Sequence, residues 1–184
     1  METGRRDLLT RGLALAGGAV ALAAGFPTLA YSQFDARRLR FANLHTGETL
    51  DAAYWEHGSY VPDALAAVNH ILRDFRTGDV HVIETSLLDL MVTISDWVGA
   101  PPEFQIISGY RSAATNAALH AESGQVAAKS LHLEGKAIDL CLAGVELAQL
   151  RNVALSLSVG GVGYYPTSGF VHLDVGRPRE WSGD

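Results

Sequence analysis

A chain of 184 residues, 48% of them apolar, is the right size for one domain with a core of its own. Its 14 basic and 20 acidic side chains give a net charge of −6, and no basic run occurs anywhere, which argues against nucleic acid as a partner, since phosphate binding relies on clustered Lys and Arg. The single cysteine, Cys141, excludes an internal disulfide, so the fold must rest on its core alone.

The first thirty residues read as an export segment. Arg5-Arg6 precedes Asp7-Leu8-Leu9, an Ala- and Gly-rich apolar stretch runs from Gly12 to Gly25, and Thr28-Leu29-Ala30 offers small residues for cleavage. That order resembles a twin-arginine signal, and it places the protein in the periplasm with cleavage after Ala30. The stretch is too short and too rich in glycine for a membrane span, so no stable span is expected once it is removed. Its loss takes away three arginines and two acids, leaving 11 basic and 18 acidic side chains and a net charge of −7. Residues 31–184 then form a single domain.

Residues 39–45 and 49–55 are expected as two strands of a hairpin turning at Thr46-Gly47. Asp63 reads as the N-cap of a helix in which Leu65, Val68, Ile71, Leu72 and Phe75 recur at helical spacing, ending at Gly78. Thr85 or Ser86 opens a second helix that carries Leu87, Leu88, Met91, Ile94, Trp97 and Val98 and stops at Gly99 and Pro101-Pro102. A short strand at 104–107 leads into Ser108-Gly109-Tyr110-Arg111-Ser112, and a third helix is expected over 112–121. A loop over 122–136 precedes a strand at 137–142, a helix at 145–157 and a last strand around His172. The expected fold is α+β, with helices packed on a small antiparallel sheet.

Most of the chemistry lies in Ser130-Leu131-His132-Leu133-Glu134-Gly135-Lys136-Ala137-Ile138-Asp139 and in His172. Two imidazoles and one carboxylate form a plausible set for a catalytic zinc, with a fourth position left open. Alternation puts Ala137, Asp139 and Cys141 on one strand face and the apolar Ile138, Leu140 and Leu142 on the other. A carboxylate interrupting an apolar strand is costly unless paired or bound to metal, so a structural salt bridge is the competing reading for Asp139. Phe170, His172 and Asp174 share a face by the same parity, so Asp174 can orient the imidazole or assist a metal-bound water. His45, His57, His70 and His81 read as structural or exposed, and Cys141 as a small buried residue. Arg177 and Arg179, flanking Pro178, read either as a solvated tail or as contacts to an acidic peptide.

Taken together, Ser-Gly-Tyr-Arg-Ser at 108–112, Ser-x-His-x-x-Gly-x-Ala-x-Asp at 130–139 and the late His172 resemble the zinc D-Ala-D-Ala peptidase group, which includes VanX-type dipeptidases and L-alanyl-D-glutamate endolysins. The paired arginines at the start, Gly-Gly-Val-Gly-Tyr-Tyr-Pro at 160–166 and Phe-Val-His-Leu-Asp at 170–174 narrow the likeness to the murein endopeptidase (MepK) family. The resemblance implies a hedgehog/D-Ala-D-Ala-peptidase-like fold and one zinc ion held by His132, Asp139 and His172. It implies that Arg111 holds a carboxylate of the peptide stem, and that Ser130 bonds substrate backbone or braces the loop. It further implies a periplasmic enzyme that cuts peptide cross-links of peptidoglycan, notably the L,D (3-3) link between diaminopimelate residues, through zinc-activated water; a monomer is the default expectation for an enzyme acting on a mesh. One departure stands out. Relatives place a glutamate base three residues before the last zinc histidine, where this chain has Gly169, or a histidine two residues before, where it has Phe170. Asp174 is the first substitute and His120 the second, with Glu134 expected to face solvent. A D-Ala-D-Ala carboxypeptidase or dipeptidase, and a non-catalytic zinc-containing peptidoglycan-binding module, are the competing functions.

Overall fold

The computed structural model describes residues 36–101, 103–123 and 127–183; the expected export segment lies outside them. Strand β1 (Ala36–Asn43) pairs antiparallel with β2 (Thr49–Glu56), as the alternation predicts. Asn43 closes the turn between them, its side-chain oxygen accepting from the backbone N–H groups of His45 and Thr46. A second hairpin leads to β3 (Ser59–Tyr60) through His57-Gly58, both with positive φ, the conformation a two-residue turn needs to match strand twist.

Helix α1 (Pro62–Ile71) begins with proline at its first turn, where a missing N–H costs nothing, so Asp63 sits inside that turn instead of capping it. It also stops short of Phe75, which stacks on His45 with ring centroids 4.0 Å apart. Helix α2 (Thr85–Val98) ends, as expected, at Gly99 in the left-handed region. Strand β4 (Glu103–Ser108) and helix α3 (Ala113–Ser123) follow, the latter entered at Ser112, whose hydroxyl accepts from the N–H of Thr115. A short 3-10 turn (Leu131–Glu134) precedes β5 (Ala137–Leu142), and then come α4 (Leu147–Ser156), β6 (Gly161–Tyr165), β7 (Phe170–Asp174) and β8 (Arg179–Ser182).

The fold is α+β, but its sheet is larger than expected. Eight strands run in the order β3-β2-β1-β4-β5-β7-β6-β8, and β1/β4 and β6/β8 are parallel pairs. Parity then separates core from chemistry. Across β5 and β7, Ile138 faces Leu173 and Leu140 faces Val171 on the side packed against α2 and α4, among them Leu87, Met91, Ile94 and Leu150. On the opposite side Asp139 faces His172. Each fully buried aliphatic side chain stabilises this arrangement by about 1.5–3 kcal/mol. Among the described residues, no helix is long and apolar enough to cross a membrane.

The loop after α1 ties itself to the segment that follows β4. The carbonyl of Leu72 accepts from the N–H of Tyr110, and a side-chain oxygen of Asp74 accepts from the N–H of Ser112 at 2.9 Å. Gly109 fits there because a Cβ would lie 2.4 Å from the Leu72 carbonyl oxygen. Burial alone would raise the pKa of Asp74, yet hydrogen bonds from Thr115, Ser112 and Arg76 bring it down to about 2. Since that lies below the value in an unfolded chain, Asp74 contributes stability above about pH 4 that is lost as pH falls toward 2. Asp74→Asn is expected to lower stability by about 2 kcal/mol at neutral pH, with the gap to wild type closing in acid; urea unfolding over that pH range checks it.

Candidate metal centre

The register of β5 against β7 sets Asp139 and His172 side by side, and the 3-10 turn swings His132 over them. Ser130 caps that turn by accepting from the His132 N–H, and Gly135 ends it in the left-handed region. No side chain fits at Gly135, where a Cβ would meet the Val82 carbonyl oxygen at 2.1 Å. All three groups are buried, and one donor atom from each lies within 4.8 Å of the others. His132 Nε2 is 3.2 Å from His172 Nδ1 and 3.3 Å from Asp139 Oδ2, while His172 Nδ1 is 2.8 Å from Asp139 Oδ1.

Both imidazoles are held from behind, and this decides which nitrogen faces inward. The Nδ1–H of His132 donates to the Gly109 carbonyl at 2.7 Å, which can only accept, leaving the Nε2 lone pair turned to the centre. The Nε2–H of His172 donates to Asp174 at 3.0 Å, leaving Nδ1 turned inward. Two nitrogen lone pairs and a carboxylate thus point at one another, an arrangement that repels itself unless a cation lies among them. A proton can serve: burial opposes charge on His172, but Asp139 and Asp174 together push its pKa up to about 9. For Asp139, burial is likewise overcome by His132 and His172, which hold it well below the usual carboxylate range. The same donor set, with both outer nitrogens braced, fits a divalent metal such as zinc.

Asp174 takes the first of the two roles that parity offers it, orienting the imidazole. It is fully buried behind His172, where it also accepts from the N–H groups of Gly161 and Gly176 and takes both terminal nitrogens of Arg179, at 3.0 and 2.5 Å. Its oxygens are taken up by these partners, away from the side of the imidazole that faces the centre, so the geometry braces the ring and does not suit a water-activating base. His120 is exposed on α3, and Glu134 is exposed and paired with Lys136 at 2.8 Å. His81 stacks on Tyr110, while the Cys141 thiol donates to Gln105 and burial raises its pKa, as befits an inert side chain.

The centre opens into a cavity of about 460 Å³. Arg111, Lys129 and Ser130 border it, with Arg111 Nη2 3.6 Å from Asp139. Burial lowers the pKa of Arg111, its contacts to Ser108 and Asn116 are long at 3.4 and 3.5 Å, and its Nε has no hydrogen-bond partner among the described residues. Tyr165, Phe170, Arg179 and Trp181 line it as well. Phe170 and Tyr165 stack at 4.5 Å, and Trp181 lies 5.1 Å from the His172 ring. Strand parity brings Phe170 to the face of His172, but sequence reasoning misses Trp181, which reaches the site through the parallel pairing of β8 with β6. The one local signal is Gly161-x-Gly163, small residues on a single strand face where neighbours must come close.

A braced His-Asp-His centre at the bottom of an open cavity, on an α+β sheet, is the arrangement of a metallopeptidase. A family model described as peptidoglycan L,D-endopeptidase MepK matches residues 31–181. The protein is 40% identical to peptidoglycan L,D-endopeptidase MepK of Escherichia coli (strain K12) over 180 residues, covering 98% of both chains, and equally similar to the protein of that name in Shigella flexneri. A probable peptidoglycan L,D-endopeptidase MepK of Haemophilus influenzae is 42% identical over 148 residues, 80% of each chain. No solved structure matches. The chain belongs to the MepK family.

Removing the carboxylate with Asp174→Ala leaves Arg179, His172 and two backbone N–H groups without their partner. The expected loss is about 3 kcal/mol of stability, read from urea unfolding of metal-free protein.

Proposed function

We propose that the protein is a zinc-dependent murein endopeptidase of the periplasm that hydrolyses the L,D (3-3) cross-link between diaminopimelate residues. The observation that carries this reading is the convergence of His132 Nε2, His172 Nδ1 and the Asp139 carboxylate at the foot of the cavity, in a chain of the MepK family. Membership of that family supports peptidoglycan as substrate, and the paired arginines ahead of an apolar stretch support export.

In this reading His132, Asp139 and His172 hold the ion, with Gly109 and Asp174 fixing the two imidazole tautomers. The chemistry a zinc ion supplies there is that of a Lewis acid, lowering the pKa of water to about 7 and polarising the scissile carbonyl. Arg111 offers incompletely satisfied donors beside the centre, suited to a carboxylate of the peptide stem. Ser130 accepts from the His132 N–H, which braces the loop, and its O–H is suited to donate to substrate backbone. Arg111, Lys129 and Arg179 make the cavity cationic in an otherwise acidic protein, which favours a substrate rich in carboxylates. Asp174 acts through His172 as a positioning residue.

The test is incubation of the purified protein with disaccharide-peptide dimers carrying either a 3-3 or a 4-3 cross-link, with and without a zinc chelator. Monomers are expected from the 3-3 dimer, none with chelator, and recovery on adding zinc. Intact dimers in the presence of bound zinc would point to a binding module, and release of terminal D-Ala alone to a carboxypeptidase. Asp174→Asn is expected to weaken zinc binding by about 10- to 100-fold while regaining near wild-type turnover at saturating zinc. Turnover that stays lost under saturation would return the base role to Asp174.

A further inference from the structure

The aromatic part of the cavity wall contains a hydroxyl to which the proposed reaction gives no role. In the β6–β7 ladder Gly163 pairs with His172 and Tyr165 with Phe170, so Tyr165 stands on the same sheet face as His172, one strand away. Its ring is held by the stack on Phe170, and its hydroxyl oxygen accepts a 2.8 Å hydrogen bond from the indole N–H of Trp181. An indole nitrogen can only donate, so the hydrogen of the tyrosine must point to something other than Trp181. Among the described residues it has no acceptor. Tyr165 borders the cavity and interacts electrostatically with the Arg111 guanidinium.

The position of Trp181 depends on one further residue. Gly163 pairs with Trp181 in the parallel β6–β8 ladder, and a Cβ on Gly163 would lie 2.6 Å from the indole Cε2. The absence of a side chain lets the indole lie flat over β6 between His172 and Tyr165. Arg179, already paired with Asp174, packs over the same indole at 5.0 Å. Tyr165 is therefore gripped by its ring on one side and its oxygen on the other, with only its O–H uncommitted.

We propose that Tyr165 is a further catalytic residue of the endopeptidase reaction, donating its O–H to the substrate oxygen on which charge develops as the peptide bond is attacked, with Trp181 and Gly163 as positioning residues. The phenol keeps its proton throughout, so its part is to stabilise charge and not to transfer a proton. The inference rests on the endopeptidase reading above. A preorganised donor at a developing oxyanion is typically worth about 10²–10³ in turnover, and such a donor is what Tyr165→Phe removes while keeping the ring.

Kinetics on the 3-3 cross-linked dimer, with zinc content and thermal unfolding measured in parallel, test it in the full-length protein. Tyr165→Phe is expected to lower kcat about 100-fold, with KM within about threefold, full zinc and an unchanged melting temperature. Trp181→Phe, which removes the N–H and keeps an aromatic ring, should lower kcat about tenfold. Because Trp181 acts through Tyr165, the double variant should be no slower than Tyr165→Phe alone. Tyr165→Phe with kcat within twofold of wild type overturns the proposal, as do losses that multiply in the double variant. A wild-type protein that cleaves no dimer removes the endopeptidase reading and this role together, whereas an active wild type with an equally active Tyr165→Phe removes this role alone.

Discussion

Everything at the centre hangs on one cross-strand pair, Asp139 on β5 facing His172 on β7. A carboxylate buried in a sheet is tolerated only with compensating partners, and beside His132 and His172 that compensation comes from a proton or a metal ion lying among the three groups. The register that makes this pair is enforced from the other side of the sheet. A slip of one residue would drive Asp139 into the apolar layer and bring Ile138 and Leu140 out of it, so the core packing of Ile138, Leu140, Val171 and Leu173 also holds the chemistry in place. Stability and site geometry therefore draw on the same strands.

The two imidazoles are braced in different ways, with different electrostatic consequences. A neutral carbonyl behind His132 fixes its tautomer without adding charge, while the carboxylate behind His172, together with Asp139, raises the pKa of that ring. Arg179, which the sequence leaves open between a solvated tail and a contact to an acidic peptide, balances Asp174 from a strand of the sheet and lines the cavity. On the far side, the Gly109 carbonyl is held by the chain leaving α1, through Leu72 and Asp74. The centre is thus anchored at both ends of its surroundings, to the end of α1 and to the last strand.

Local pattern went furthest where the physical constraint is local. The strand over Ala137–Leu142 is legible because its alternation is strict, and α2 because an apolar stripe ends on a left-handed glycine. It failed at α1, where Phe75 continues the helical spacing but is drawn off to stack on His45, and where Pro62 starts the helix ahead of Asp63. β8 was illegible for another reason. Four residues carry little periodicity, and their pairing with β6 is parallel and decided by contacts far along the chain.

The identity of the groups at the centre was determined by the sequence itself: spacing and strand parity single out His132, Asp139 and His172, and the family resemblance follows from those residues. Which way each group points was left to the tertiary structure. Parity places Asp174 beside His172, but only the close approach of Gly161, Gly176 and Arg179 turns its oxygens away from the cavity and makes it a brace. Likewise, no spacing relates Tyr165 to Trp181; the hydrogen bond between them exists because a glycine lets an indole from another strand lie flat. Side-chain identity and strand face are properties of a short stretch of chain, whereas hydrogen-bond direction and close packing depend on partners that only folding brings together.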